Sequence, residues 1–248
     1  MGKLWRLVVV LPLMLLSTAA LGLVSAVIAI FGMRTAPVQI AVARAWARLL
    51  LFIGGVKLEI EGQEKLRAKG PYVFTANHVS YMDTPVILAS IPVPFRFLAK
   101  AELFKFPWLF IGWHLKTAGH IPVPRDDPRA AVRTLSQTAK LIESDGTSLF
   151  FFSEGGRSAD GSLNEFKEGA AYMAIKSGAP LVPVALVGLH KILPMGSMEV
   201  HRGHVRVRIG EPIPTQGRTL KDRGALTERA REELAAMLHQ TANAAKGE

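Results

Sequence analysis

The sequence contains no cysteine among its 248 residues. Disulfide scaffolds, Cys-ligated zinc and thiol nucleophiles are thereby excluded. Tyrosine occurs only three times. That is too few to build a base-stacking surface, so nucleic acid is set aside as a partner. There is no GxSxG, Walker A, GxGxxG or HExxH motif, which removes the commonest serine hydrolase, NTPase, dinucleotide and zinc-protease readings. The seven His are dispersed, and only His201 and His204 approach ligand spacing, so no metal is expected.

Charge is absent from one long stretch. Between Arg6 and Arg34 no residue carries one. Leu7 to Met33 is mostly Val, Leu, Ala and Ile, and it exceeds the roughly 20 residues that cross the hydrocarbon of a bilayer. A spanning helix, a cleaved signal peptide and a helix that dips into one leaflet all fit. Lys3 and Arg6 ahead of it favour a cytoplasmic N-terminus. A second helix is expected over Val38 to Ile53, stopped by Gly54-Gly55. Arg44 and Arg48 share one face of it, as expected of arginines that reach for lipid phosphates at a bilayer surface. The net charge of +10 suits the same anionic partners, and other basic residues lie dispersed, as in Arg202, Arg206 and Arg208. Mean hydropathy is +0.24, oily for a soluble chain and too polar for a polytopic one.

From Val56 onward the pattern changes. Strand patterns at Val56 to Gly62, Tyr72 to Thr75, Phe95 to Ala99, Leu149 to Phe152, Leu181 to Val187 and His204 to Ile209 are separated by helical periods at Pro85 to Ser90, Asp127 to Ser144, Glu168 to Lys176 and Leu226 to Ala242. Such alternation predicts an α/β fold with a mixed, largely parallel sheet flanked by helices. The expected organisation is residues 1–55 as N-terminal membrane-associated helices and 56–248 as the α/β domain.

Two motifs stand at predicted strand ends. After Tyr72 to Ala76 comes Asn77-His78, and Asp83 follows five residues after the histidine. On one continuous helix this spacing is about 140° of rotation, the wrong face for contact. If His78 sits on a strand-to-helix turn, Asp83 can fold back and hold one ring N–H. The other nitrogen is then free to accept a proton, as in the His-Asp half of a triad. Asp83 as a simple helix N-cap is the bland alternative. The second motif, Ser153-Glu154-Gly155-Gly156-Arg157-Ser158, follows the buried run Leu149 to Phe152. Ligands of α/β sheets bind beyond the carboxyl ends of strands. Glycine lets backbone N–H groups approach an anion, and arginine grips phosphate bidentately. Lys100 and Arg125 close two further predicted strands, which points to one phosphate-binding rim.

These blocks in this order resemble the glycerolipid acyltransferase family. The resemblance is carried by Asn77-His78 with Asp83, by Lys100-Ala101-Glu102-Leu103, by Gly119, Ile121 and Arg125, by Phe152 to Ser158, and by Leu181-Val182-Pro183-Val184. It covers roughly residues 56 to 215. The resemblance implies that His78, polarised by Asp83, deprotonates the sn-2 hydroxyl of 1-acyl-glycerol-3-phosphate, which attacks the thioester of acyl-CoA or acyl carrier protein. It implies a substrate site built from Asn77, Lys100, Arg125, Glu154, Gly155, Gly156 and Arg157, with Pro183 on the acyl wall and no cofactor. It implies a bacterial inner-membrane enzyme whose site faces the cytoplasm and whose N-terminal helices seat it in one leaflet. The family usually has Pro where this chain has Ser153, and Thr where it has Gly156, so another lysolipid acceptor, such as a lyso-ornithine lipid, is the alternative. A non-catalytic module that binds anionic lipid is the third reading.

Overall fold

The structure is a computed structural model. It describes residues 2–31, 36–67, 70–105, 111–124 and 126–244. Helix α1 spans Lys3–Ile30. Its bonding widens to a π pattern over Arg6–Val10, just before Pro12, which has no N–H to give the preceding turn. Helix α2 is Ala36–Gly54. The strands are β1 Val56–Glu61, β2 Val73–Ala76, β3 Phe95–Lys100, β4 Ile121–Val123, β5 Ser148–Phe152, β6 Leu181–Val187 and β7 Gly203–Ile209. Between them lie α3 Asp83–Ser90, α4 Ile111–Thr117, α5 Pro128–Asp145 and α6 Gly169–Ser177, and α7 Arg223–Ala244 follows β7.

The seven strands form one sheet in the order β1-β7-β6-β2-β5-β3-β4. The run from β6 to β4 is parallel. β7 is antiparallel to β6, and β1 runs parallel to β7. Five strands therefore end at one edge, where the open end of an α/β sheet takes ligands. The central strands β2, β5 and β6 read as continuous apolar runs because both of their faces are covered.

The helical hairpin shares a core with the body. Val10 and Met14 of α1, and Ala43, Ala47, Leu50 and Leu51 of α2, belong to the same buried cluster as Phe74, Phe95 and Phe150 of the sheet. Polar contacts tie α1 along its length. Lys3 Nζ meets Glu199 Oε1 at 2.7 Å, and Arg6 Nη1 lies 2.8 Å from His201 Nδ1. Near the other end, Ser25 Oγ lies 2.7 Å from His114 Nδ1 of α4. Burial depresses His114 to about 4. Beside it, His120 accepts the Phe97 N–H on Nδ1 at 3.0 Å. Burial first, then His114 and Arg96, pushes His120 down to about 3. Both imidazoles are thus neutral.

One expectation about basic residues is corrected. Arg44 does not reach for lipid. Its Nη2 donates to the carbonyls of Ile91, Pro92 and Val93 at 2.7, 3.0 and 3.0 Å, capping the carboxyl end of α3, where carbonyls lack partners. Arg206 and Arg208 pair across the β1–β7 ladder, at 2.8 Å to Glu59 and 2.7 Å to Glu61. In a parallel pair, same-face neighbours of opposite charge attract.

Candidate active site

Strand β2 delivers His78. Beyond its last residue, the Asn77 side chain continues the ladder. Its Nδ2 donates to the Leu186 carbonyl at 3.1 Å, and its Oδ1 accepts the Leu186 N–H at 2.8 Å. The turn that follows is therefore pinned to β6. The β5 loop grips His78 by its main chain on both sides. Its N–H donates to Glu154 Oε1 at 2.7 Å, and its carbonyl accepts the Ser158 N–H at 2.7 Å. The imidazole stacks on Phe152, with ring centres 3.9 Å apart and planes 14° from parallel. Little rotational freedom is left to it.

Asp83 opens α3 and turns back. The N-cap of α3 is Met82, with no side-chain cap. The Asp83 carboxylate serves the preceding turn instead. Its Oδ2 accepts His78 Nδ1–H at 2.6 Å, Val79 N–H at 2.8 Å and Ser80 N–H at 2.9 Å. The N-cap alternative is thus replaced by the fold-back geometry. An oxygen already receiving two N–H groups fixes Nδ1 as the protonated ring nitrogen, so Nε2 carries the lone pair. Asp83 is fully buried, whereas the His78 side chain keeps 11% of its surface exposed. Among the described residues the imidazole hydrogen-bonds only Asp83, and no hydroxyl bonds Nε2.

Glu154 is an organiser of the loop. One oxygen holds the His78 N–H, and the other accepts both the N–H and the Nδ2 of Asn164, at 3.1 and 2.7 Å. Gly155 has φ +74°, a region that glycine adopts without strain. Gly156 faces open space, and a Cβ there would meet nothing within 4 Å. Ser153, where the family usually has Pro, bonds Thr75 Oγ1 across β2–β5 at 2.6 Å. Arg157 Nε donates to the Ser80 carbonyl at 3.0 Å, and the guanidinium lies 4.8 Å from the Tyr81 ring centre. The fold thus brings a cation onto the His78–Asp83 turn itself. Lys100 ends β3 at the same sheet edge, two strands and so about 10 Å from β2, and its ammonium is 3.7 Å from Glu102. Arg125 lies outside the described residues. Pro183 packs against Gly210, within the sheet rather than on the turn.

Sequence reasoning missed Asn164, Phe152 as the stacking partner, and Lys167. Lys167 gives its N–H to the Ser153 carbonyl at 2.8 Å, closing the loop. No motif marks these residues, because each acts through a contact made only when the loop closes. Among the described residues no group of three His, Cys, Asp or Glu is placed to hold a metal.

A family model described as Acyltransferase matches residues 57–187, which contain His78, Asp83, Lys100, Arg125 and the Glu154 loop. The chain is 40% identical over 174 residues to the chloroplastic 1-acyl-sn-glycerol-3-phosphate acyltransferase LPAT1 of Arabidopsis thaliana, covering 69% of this chain and 48% of that protein. It is 39% identical over 174 residues to the chloroplastic BAT2 enzyme of the same description from Brassica napus, covering 69% and 49%. The chain thus spans about half the length of these two relatives. The crystal structure of a 1-acyl-sn-glycerophosphate acyltransferase from Thermotoga maritima superposes with a TM-score of 0.69 at 24% identity, covering 81% of this chain and 79% of that one. That likeness shows a shared fold.

Proposed function

The chain belongs to the acyltransferase family, and we propose that it moves a fatty acyl group from a thioester donor to the sn-2 hydroxyl of 1-acyl-glycerol-3-phosphate, giving phosphatidic acid for phospholipid synthesis. The observation that carries this reading is the His78–Asp83 pair, with Nε2 left unbonded among the described residues. Nε2 accepts the hydroxyl proton as the oxygen attacks the thioester carbonyl. Asp83 holds the imidazolium that forms. When the tetrahedral intermediate collapses, the C–S bond breaks and the imidazolium returns its proton to the departing thiolate, leaving free thiol and ester. A general base of this kind contributes about 10²- to 10⁴-fold. No step needs a cofactor. Arg157, Lys100 and Arg125 supply the cations for the acceptor's phosphate.

The site works at a membrane surface. One side of α1 exposes Leu16, Leu23, Val27 and Ile30, and α2 exposes Phe52. A 28-residue helix is about 42 Å long, yet α1 is fastened to the body near both ends. A crossing of the bilayer would drag the body into hydrocarbon, so the hairpin lies within one leaflet. Lys3 and Arg6 favour the cytoplasmic side, and the bacterial inner membrane is the setting we propose. Gly156, where the family usually has Thr, supports another lysolipid as the second reading of the acceptor.

The test is acyl transfer by the purified protein in detergent, with acyl-CoA and acyl carrier protein as donors and lysophosphatidic acid, other lysophospholipids and lyso-ornithine lipid as acceptors. Phosphatidic acid formation at the highest kcat/KM supports the proposal. Preference for another acceptor moves the substrate but keeps the chemistry. Silence with every pair leaves the lipid-binding module.

A further inference from the structure

We infer that Lys167 is a further cation of the acceptor's phosphate site, lying over Gly155. This rests on the proposed reaction and adds a residue to it. The Lys167 stem crosses directly over Gly155. A Cβ built at residue 155 would lie 2.7 Å from Lys167 Cε, 2.8 Å from Nζ and 3.1 Å from Cδ. A Cβ there would push the end of the Lys167 side chain aside, so glycine leaves room for the ammonium over this loop. The φ of +74° is what requires glycine at 155.

The position is built rather than incidental. The Lys167 N–H is bonded to the Ser153 carbonyl, and Asn164 is bonded to Glu154. Glu154 in turn holds the His78 N–H, and Ser158 holds the His78 carbonyl. The base of Lys167 is therefore tied through two short links to the main chain of His78. Lys167 is exposed, and among the described residues no carboxylate lies within ion-pair distance of its ammonium. Glu168, its neighbour, is taken by Arg223 at 2.6 Å. Arg157 stands two residues beyond Gly155, on the Ser80 carbonyl. Positive charge on one short loop favours a doubly charged anion over a singly charged one. A phosphomonoester, with up to two negative charges, answers Lys167 and Arg157 together; a phosphodiester with one answers them less well. Lys167 therefore reads the charge of the acceptor headgroup.

The experiment compares wild type, Lys167→Met and Lys167→Arg, with steady-state kinetics for a lysolipid phosphomonoester and for a lysolipid phosphodiester, and with the donor varied separately. Wild-type turnover of the phosphomonoester establishes the underlying reaction first, so the two ideas fail separately. Lys167→Met is expected to raise KM for the phosphomonoester about 10-fold or more, to change kcat and donor KM less than about 3-fold, and to narrow the preference over the phosphodiester. Lys167→Arg should recover most of the affinity. An unchanged acceptor KM in Lys167→Met overturns the inference. So does a rise confined to donor KM, which would assign the ammonium to the donor's phosphates.

Discussion

The Asp83 carboxylate meets His78 Nδ1 at 2.6 Å through Oδ2, the oxygen that also accepts the Val79 and Ser80 N–H groups, while Oδ1 is buried without a hydrogen-bond partner among the described residues. One oxygen shapes the turn and orients the ring together. The geometry of the base and the conformation of the His78 loop are therefore inseparable.

Asp83→Asn separates charge from shape. An amide oxygen in the Oδ2 position keeps all three hydrogen bonds, but the imidazolium loses its counter-charge. We expect kcat to fall roughly 10²- to 10⁴-fold with little change in acceptor KM. The amide nitrogen would occupy the unpartnered Oδ1 position, so stability should drop by about 1–3 kcal/mol. Kinetics and denaturant unfolding of the variant check both. A variant with wild-type kcat would remove Asp83 from the mechanism.

Glu154→Gln should weaken the loop at one of its two ends. One of its two terminal atoms becomes a donor facing either the His78 N–H or the Asn164 N–H groups. A lost bond to a buried group costs about 1–3 kcal/mol. We expect a lower denaturation midpoint and a kcat loss larger than any change in donor KM. If stability is intact and only acceptor KM rises, Glu154 touches substrate instead of organising the turn.

The α1–body junction should weaken in acid. His114 and His120 are held at about 4 and about 3, below the value near 6.5 expected when unfolded. Between those values the unfolded chain binds protons that the folded chain refuses, so stability falls as pH falls. The contribution is complete above about 6.5 and is lost progressively below it. Each pKa unit corresponds to about 1.4 kcal/mol, so the loss by pH 5 should reach roughly 2 kcal/mol for His114 alone. Urea midpoints at pH 7.5 and pH 5, for wild type and His114→Gln, measure it. Equal slopes with pH in the two proteins would contradict the assignment.

Much of this was legible beforehand. The strands β2, β5 and β6 announced themselves as unbroken apolar runs, because a strand covered on both faces has no polar side to show. The His78–Asp83 fold-back followed from a spacing that a helix forbids, and the turn delivered it. What escaped was decided by tertiary closure. Arg44 looked like a lipid-facing arginine until the end of α3 supplied three carbonyls. Helix α4 was too short to carry a period of its own. Asn77 carries no sign in the sequence that its amide extends the β2–β6 ladder, and Glu154 none that both its oxygens serve the loop.

The most direct test of the central claim is the rate of acyl transfer to lysophosphatidic acid by His78→Ala, beside wild type, with the fold of both verified by circular dichroism and thermal unfolding. The expected result is a folded variant whose kcat is lower by roughly 10²-fold or more and whose acceptor KM is little changed. A folded variant that transfers acyl groups at the wild-type rate would contradict the assignment of His78 as the base.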